Sequence, residues 1–328
     1  MDGFLKMQST KNMLTTKIQI DEKEIFDIII LGGGPAGLTA GIYSARAMKK
    51  TLILNEGTIG GQLAVSYLIA NYPGVENISG FQLGKIMKNQ AKSFGCVIKS
   101  NITISKIDFS ANIKTVELND GTIYESNAVI LAPGGKARTL NVPGEEDFKG
   151  KGISYCATCD GDFFQDKDII VVGGGNSALE EAVSLTQFAS SVTIVHEFDH
   201  FQASNIAIIE AKENKKINFI LESTISEFFG DISLKKVNIK NLKTGIISEK
   251  KIDGVFTFIG YVPNTESFKN KIRLLKSGEI IVDEKYQTNI KGVFAAGDCI
   301  PKHFRQITTS VADGTNAAIF ATEFLNTL

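Results

Sequence analysis

Tryptophan is absent from the 328 residues, and only four cysteines and six prolines occur. So few cysteines exclude a disulfide scaffold and predict a reducing, cytoplasmic setting. So little proline, against 31 glycines, excludes Pro-rich linkers and leaves glycine to make the tight turns. Excess charge of either sign is also missing. The 35 Lys and Arg balance 36 Asp and Glu, which excludes a strongly basic nucleic-acid binder and an acidic solvating tail. No run approaches the roughly 18 apolar residues of a membrane span. The first 24 residues are polar and mixed in charge, without the apolar core of a secretory signal; a frayed tail is expected, with Met7 and Met13 as alternative starts. Arginine is scarce: Arg46, Arg138, Arg273 and Arg305 are the only four, so none falls between 138 and 273. With 43% apolar residues, the chain has enough for a sizeable core, and its length suggests two domains.

What the chain does have is a repeated turn. Residues 25–31 form an apolar run broken only by Asp27, as expected of a buried parallel strand. Gly32-Gly33-Gly34-Pro35-Ala36-Gly37 follows, and then 38–48 with helical spacing. G-x-G-x-x-G between a strand and a helix is a dinucleotide-binding pattern. Gly32 permits the tight turn, Gly34 lets a pyrophosphate approach the backbone, and Gly37 lets helix and strand pack closely. The helix start at Pro35 and Ala36 offers unpaired N–H groups and a positive dipole end to the phosphates. The next strand, 51–54, runs into Glu56, placed to accept hydrogen bonds from a ribose 2′-hydroxyl.

The pattern returns 141 residues later. Residues 168–172 lead into Gly173-Gly174-Gly175-Asn176-Ser177-Ala178, a helical run over 179–188, a strand over 192–195, and then His196 and Glu197. Gly32 to Gly173 is the same shift as Glu56 to Glu197, so two homologous units share one register. One would ordinarily hold a flavin dinucleotide and the other a nicotinamide dinucleotide. The strands expected over 122–133, 254–260 and 292–298 read as returning to the first sheet, and a helix over 307–325 closes the chain. The predicted class is therefore α/β, with two dinucleotide-binding, Rossmann-like domains. A tail (1–24) precedes the first part of the first domain (25–131), the inserted second domain (132–253) and the remainder of the first (254–328). Crossings near Lys136 to Pro143 and near Asp253 would make a two-stranded hinge.

Cys156-Ala157-Thr158-Cys159-Asp160 stands just ahead of the second unit. A C-x-x-C pair closes a very short loop, and its sulfurs exchange readily when one thiol has a depressed pKa. Half of a zinc site is the competing reading, and it needs two further ligands at similar spacing. Cys96 and Cys299 each stand alone, and His196, His200 and His303 make no such pattern, so no metal is expected. The candidate catalytic residues are Cys156, Cys159 and Asp160, the last as proton donor or acceptor for a thiol.

Together with Gly60-Gly61-Gln62-Leu63, Asn71-Tyr72-Pro73-Gly74, Val142-Pro143-Gly144-Glu145, Gly297-Asp298 and Arg305-Gln306, these motifs resemble the low-molecular-weight thioredoxin reductases. The similarity covers nearly the whole chain after about residue 25. It implies a homodimer with FAD on the first unit, where Gly61, Gln62, Leu63 and Asn71 add to the cofactor residues above. Asp298 would bind the ribityl chain, with Arg305 and Gln306 beside the flavin. The C-x-x-C pair would pass electrons from flavin to the disulfide of thioredoxin. Larger disulfide reductases carry a dimerisation domain with a catalytic His, for which the chain ends too early.

One stretch departs from the pattern. NADPH-dependent members carry H-R-R-x-x-x-R after the second strand of the second unit. Here the same place reads His196-Glu197-Phe198-Asp199-His200-Phe201-Gln202. A 2′-phosphate needs cationic, preferably bidentate, donors, and Glu197 would repel it. Glu197 suits an unphosphorylated ribose, hence NADH. The stretch also looks like that of the ferredoxin-dependent flavin thioredoxin reductases of anaerobic bacteria, which take single electrons from ferredoxin, and ferredoxin is the expected donor. The intact Gly173, Gly175 and Ala178 keep a second bound nucleotide, or a second flavin, in view. Lys212, Lys215, Lys216, Lys235 and Lys236 are candidates for steering an acidic ferredoxin, or else an ordinary solvated basic face. A ferredoxin–NADP⁺ reductase of similar fold would lack the C-x-x-C pair. A non-enzymatic flavin redox sensor would show no multiple turnover. A hydroperoxide-reductase flavoprotein would need an extra N-terminal disulfide domain, for which the tail has no room.

Overall fold

Phe26–Leu31 forms β1, with Phe26, Ile28, Ile29 and Ile30 wholly enclosed. A run so apolar requires strands at both edges and layers on both faces. The computed structural model describes residues 25–66 and 69–328, so the expected tail over 1–24 lies outside the described residues. After β1 come α1 (Pro35–Arg46), β2 (Thr51–Asn55), α2 (Gly80–Ser93) and β3 (Val97–Ser100), followed by β4 (Ile104–Asp108), β5 (Lys114–Leu118) and β6 (Ile123–Leu131). The sheet runs β3-β2-β1-β6-β5-β4, parallel from β3 to β6 and antiparallel through β5 and β4. α2 starts at Ser79, whose hydroxyl accepts the Gln82 N–H in place of the missing turn.

The chain then leaves this sheet. β7 (Gly135–Ala137) and the single turn α3 (Glu145–Phe148) lead to β8 (Ile153–Ser154) and a second turn, α4 (Ala157–Asp160). The second unit follows as β9 (Asp168–Val172), α5 (Asn176–Leu185), β10 (Ser191–Val195), α6 (Asn205–Glu213) and β11 (Ile217–Ile220). β12 (Ser223–Gly230), β13 (Leu234–Asn241) and β14 (Ile247–Lys251) form a separate antiparallel sheet. β15 (Gly254–Thr257) comes next, then β16 (Tyr261–Pro263), β17 (Val293–Ala295) and α7 (Ile307–Leu325). β17 extends the first sheet by pairing with the C-terminal half of β6, as expected for 292–298.

One expectation fails. The run 254–260 does not return to the first sheet: β15 lies in the second, in the order β11-β10-β9-β15-β8, parallel to β9 and β8. Phe256 packs into the core on one face of this sheet and Val255 into the core on the other, places that an apolar run could have filled in either sheet. The passage back therefore follows Thr257 rather than Asp253. There β16 pairs antiparallel with β7, so the two crossings make one two-stranded ribbon. Among the described residues no helix is long and apolar enough to cross a membrane.

Candidate active site

The first glycine turn is built by contacts between backbones. A Cβ on Gly37 would lie 1.9 Å from the Gly32 carbonyl oxygen, so this position must be glycine for α1 to rest on the end of β1. Gly34, the residue before α1, faces open space apart from the Cα of Gly61 at 4.0 Å, and no side chain caps the helix. Gly60 N–H donates to the Gly33 carbonyl at 2.8 Å, which brings the 3-10 turn Gly61–Val65, with Gln62 exposed and Leu63 buried, against the motif. Asn55, which no sequence motif marks, accepts the Gly33 N–H at 2.8 Å and fixes the turn from the end of β2. Glu56 is exposed beyond it, one carboxylate oxygen accepting the Ile104 N–H at 3.1 Å.

From the other end of the unit, Asp298 arrives half-buried after β17. Burial pushes its carboxyl above the usual range, while a 3.0 Å hydrogen bond from Ser310 and the charges of Lys302 and Arg305 oppose that push. Asp313 on α7 accepts the Gly297 N–H at 3.1 Å and pairs with Lys302, holding the turn that presents Asp298. Arg305 is engaged internally: its guanidinium meets Glu279 at 3.1 Å and lies 4.2 Å from the Tyr261 ring centroid. The glycine cradle, the uncapped helix start and the half-buried acid fit a dinucleotide with its phosphates at α1.

Gln306 joins this region to the redox pair. Its amide oxygen accepts from Asn71 at 3.4 Å, and its amide nitrogen reaches Cys156 Sγ at 3.8 Å. Cys156 and Cys159 form the expected disulfide, with Cα atoms 5.3 Å apart across the start of α4. Thus Asn71, Gln306 and Cys156, far apart in sequence, meet at one place. Asp160 ends the same turn. Burial first, and then repulsion from Asp162, raise its carboxyl pKa, while a 2.5 Å hydrogen bond from Ser154 lowers it. Glu145 is buried and accepts the Leu140 and Asn141 N–H groups and the Tyr155 hydroxyl, tying the first crossing to the residue before Cys156. The lone Cys96 and Cys299 are buried, and burial pushes both thiols up to about 12, which suits packing and not exchange.

The second glycine turn differs in what covers it. Gln202 N–H donates to the Gly174 carbonyl at 2.8 Å, and the His196 ring lies against Gly174, stacked with Phe201. Burial lowers the His196 pKa, which disfavours a charged imidazole beside a phosphate. Glu197, Phe198 and Asp199 are exposed, and Asp199 takes His200 as its partner at 2.6 Å. Beside them a cavity of about 350 Å³ is walled by Phe201, Ile208, Phe219 and Leu221, with Lys212 on its rim. Gly175 faces open space: no atom lies within 4 Å of a Cβ placed there.

Two of the remaining candidate lysines have partners within the chain. Lys216 donates to the Thr186 and Ala189 carbonyls at 2.8 and 2.9 Å, closing the end of α5. Lys236 pairs with Glu249 at 2.7 Å, and it lies with Lys235 beside Asp168, at the end of the sheet opposite the glycine turn.

The profile of the pyridine nucleotide-disulphide oxidoreductases matches residues 26–314. A protein of Clostridium pasteurianum described as a 34.2 kDa protein in the rubredoxin operon is 46% identical over 305 residues, 93% of this chain and 98% of its own. A thioredoxin reductase of Peptoclostridium acidaminophilum is 42% identical over 310 residues, 92% of this chain and 98% of its own. The crystal structure of a thioredoxin reductase from Streptococcus pyogenes superposes with a TM-score of 0.88 at 41% identity, covering 93% of this chain and 99% of that one.

Proposed function

Because the chain belongs to the pyridine nucleotide-disulphide oxidoreductases, and within them to the low-molecular-weight thioredoxin reductases, we propose that it takes its electrons from reduced ferredoxin. FAD is the cofactor, and thioredoxin is the disulfide substrate. The observation that carries the donor assignment is the stretch 196–202. Glu197, Phe198 and Gln202 stand where a 2′-phosphate would need cations, and the exposed Asp199 is paired to His200. The relative named for a rubredoxin operon fits this reading, since rubredoxin, like ferredoxin, carries electrons one at a time.

In this reading Gly32, Gly34, Pro35, Ala36 and Gly37 hold the FAD pyrophosphate, Glu56 a ribose and Asp298 the ribityl chain, with Gly61, Gln62, Leu63 and Asn71 around them. Bound FAD supplies a centre that accepts electrons singly and releases them in pairs. Two electrons entering the Cys156–Cys159 bond would leave two thiolates. A proton from the Asp160 carboxyl, whose pKa burial raises, converts one of them to a thiol. The remaining thiolate attacks the thioredoxin disulfide. When the second sulfur closes the bond again, its proton returns to Asp160. The enzyme works as a homodimer in the cytoplasm, with an FAD unit in two parts around the inserted unit.

The donor is tested by mixing the purified enzyme anaerobically with each candidate. Reduced ferredoxin bleaches the flavin, while NADPH and NADH leave it yellow. Rapid bleaching by micromolar NADH would overturn the assignment. NADH is a second reading because Gly175 is open: neither packing nor its extended φ of −87° demands glycine there. Gly175→Ala separates the two. With ferredoxin as donor, its turnover and melting temperature match those of the parent. A tenfold loss of turnover at unchanged melting temperature is the NADH result.

A further inference from the structure

We propose that Ser154 is the positioning residue of the redox site, its hydroxyl holding the Asp160 carboxyl where that group exchanges a proton with the cysteine sulfurs. The inference rests on the reading of Asp160 as proton carrier. Ser154 is the last residue of β8, only 4% exposed, and its backbone is registered against Phe256 of β15. Its position is therefore set by the second sheet and not by the loop it touches. From there Oγ reaches both ends of the redox loop. It accepts the Cys156 N–H at 3.1 Å, where the chain enters the loop, and donates to Asp160 Oδ2 at 2.5 Å, where the chain leaves.

A serine that only shaped the turn would need the first of these bonds, the common bond from serine to an N–H two residues on. The second is different. At 2.5 Å it is much shorter than the 3.3 Å from the same hydroxyl to the Cys156 carbonyl oxygen, and shaping the turn does not call for it. The other polar neighbours of the site do not reach Asp160: Gln306 touches Cys156, and the Tyr155 hydroxyl goes to Glu145. The charge facing Asp160 is that of Asp162, on the next 3-10 turn, which repels the carboxylate. Ser154 therefore supplies the hydrogen bond that lets Asp160 ionise once it has given up its proton.

The balance is simple. Two electrons break the S–S bond, one proton passes from Asp160 to one sulfur, and a thiolate, a thiol and a carboxylate result. Ser154 exchanges nothing; it favours the carboxylate product and fixes its direction. Removing the hydroxyl thus has two consequences of known sign. The carboxyl is less well placed, so the plateau rate falls. The acid form also persists to higher pH, so the alkaline limb of the rate profile moves up.

The test uses FAD-loaded enzyme with electrons supplied by photoreduction, which keeps the donor question out, and follows thioredoxin reduction against pH. Ser154→Ala lowers the plateau about tenfold and shifts the alkaline limb to higher pH. Ser154→Thr, which keeps a hydroxyl, restores the position of the limb. Asp160→Asn costs about 10²-fold or more, abolishes the limb, and leaves no further effect for Ser154→Ala in the double variant. If Asp160→Asn is slow but Ser154→Ala leaves the limb in place, or costs as much when added to Asp160→Asn, Ser154 does not act through Asp160 and the proposal is overturned. Full activity in Asp160→Asn would remove the proton-carrier reading and this inference with it.

Discussion

Cys159→Ser reduces thioredoxin turnover by on the order of 10³-fold or more while the protein keeps its FAD and its melting temperature. The expectation follows from the separation of the two functions in the chain. The residues proposed to hold FAD sit at the turn from β1 into α1, just beyond β2, on the 3-10 turn Gly61–Val65 and between β17 and α7, whereas Cys159 lies on α4 of the second unit. Its sulfur is half-buried and bonded to Cys156, so serine replaces it with almost no change in volume. What is lost is the two-electron store. The remaining Cys156 can form a mixed disulfide with thioredoxin but has no neighbour to resolve it. The assay is steady-state thioredoxin reduction together with the flavin absorbance of the same sample. Turnover within tenfold of the parent would mean that electrons reach thioredoxin by another route.

Gly37→Ala strikes the first unit instead. The added methyl would sit 1.9 Å from the Gly32 carbonyl oxygen and 3.0 Å from its carbon, so two backbone segments must part. Overpacking of this kind costs about 3 kcal/mol or more, and it moves the helix start that would face the pyrophosphate. The variant is expected to purify largely free of flavin and to unfold at clearly lower urea concentration. Gly57→Ala serves as the control, because no atom lies within 4 Å of a Cβ there; it should match the parent in both measurements. Equal flavin content in Gly37→Ala and Gly57→Ala would contradict the close-packed role of the third motif glycine.

Local pattern made much of this architecture legible. Strand, glycine turn and helix are neighbours in sequence, so the first turn and α1 could be read directly, as could the closing helix, Ile307–Leu325. Pairing at a distance could not. The run that became β15 is apolar apart from Thr257, and periodicity does not tell a buried strand which sheet it enters. The β12–β14 sheet went unread because its strands shift register at two places and so blur the alternation. In the site, the glycines and the cysteine pair announced themselves by spacing. Asn55, Ser154 and Asp313 belong to no motif; they matter because the fold brings an amide, a hydroxyl and a carboxylate to backbone or acid groups elsewhere in the chain. Lys216 and Lys236 show the converse: both look available in sequence, and the structure pairs one with carbonyls just beyond α5 and the other with Glu249.

Gln306 has one side chain and three attachments. It caps α7 in a reciprocal box with Thr309, accepts from Asn71 at 3.4 Å, and touches Cys156 at 3.8 Å. The capping bonds are local to the helix and survive whatever the second unit does. The contact with sulfur is long and weak by hydrogen-bond standards, and neither partner relies on it for its own fold. Lifting the disulfide away from the first unit would therefore leave the helix start intact and cost little on the Gln306 side. The disulfide is berthed there rather than anchored, so the Gln306 contact adds little to the cost of moving it off the first unit.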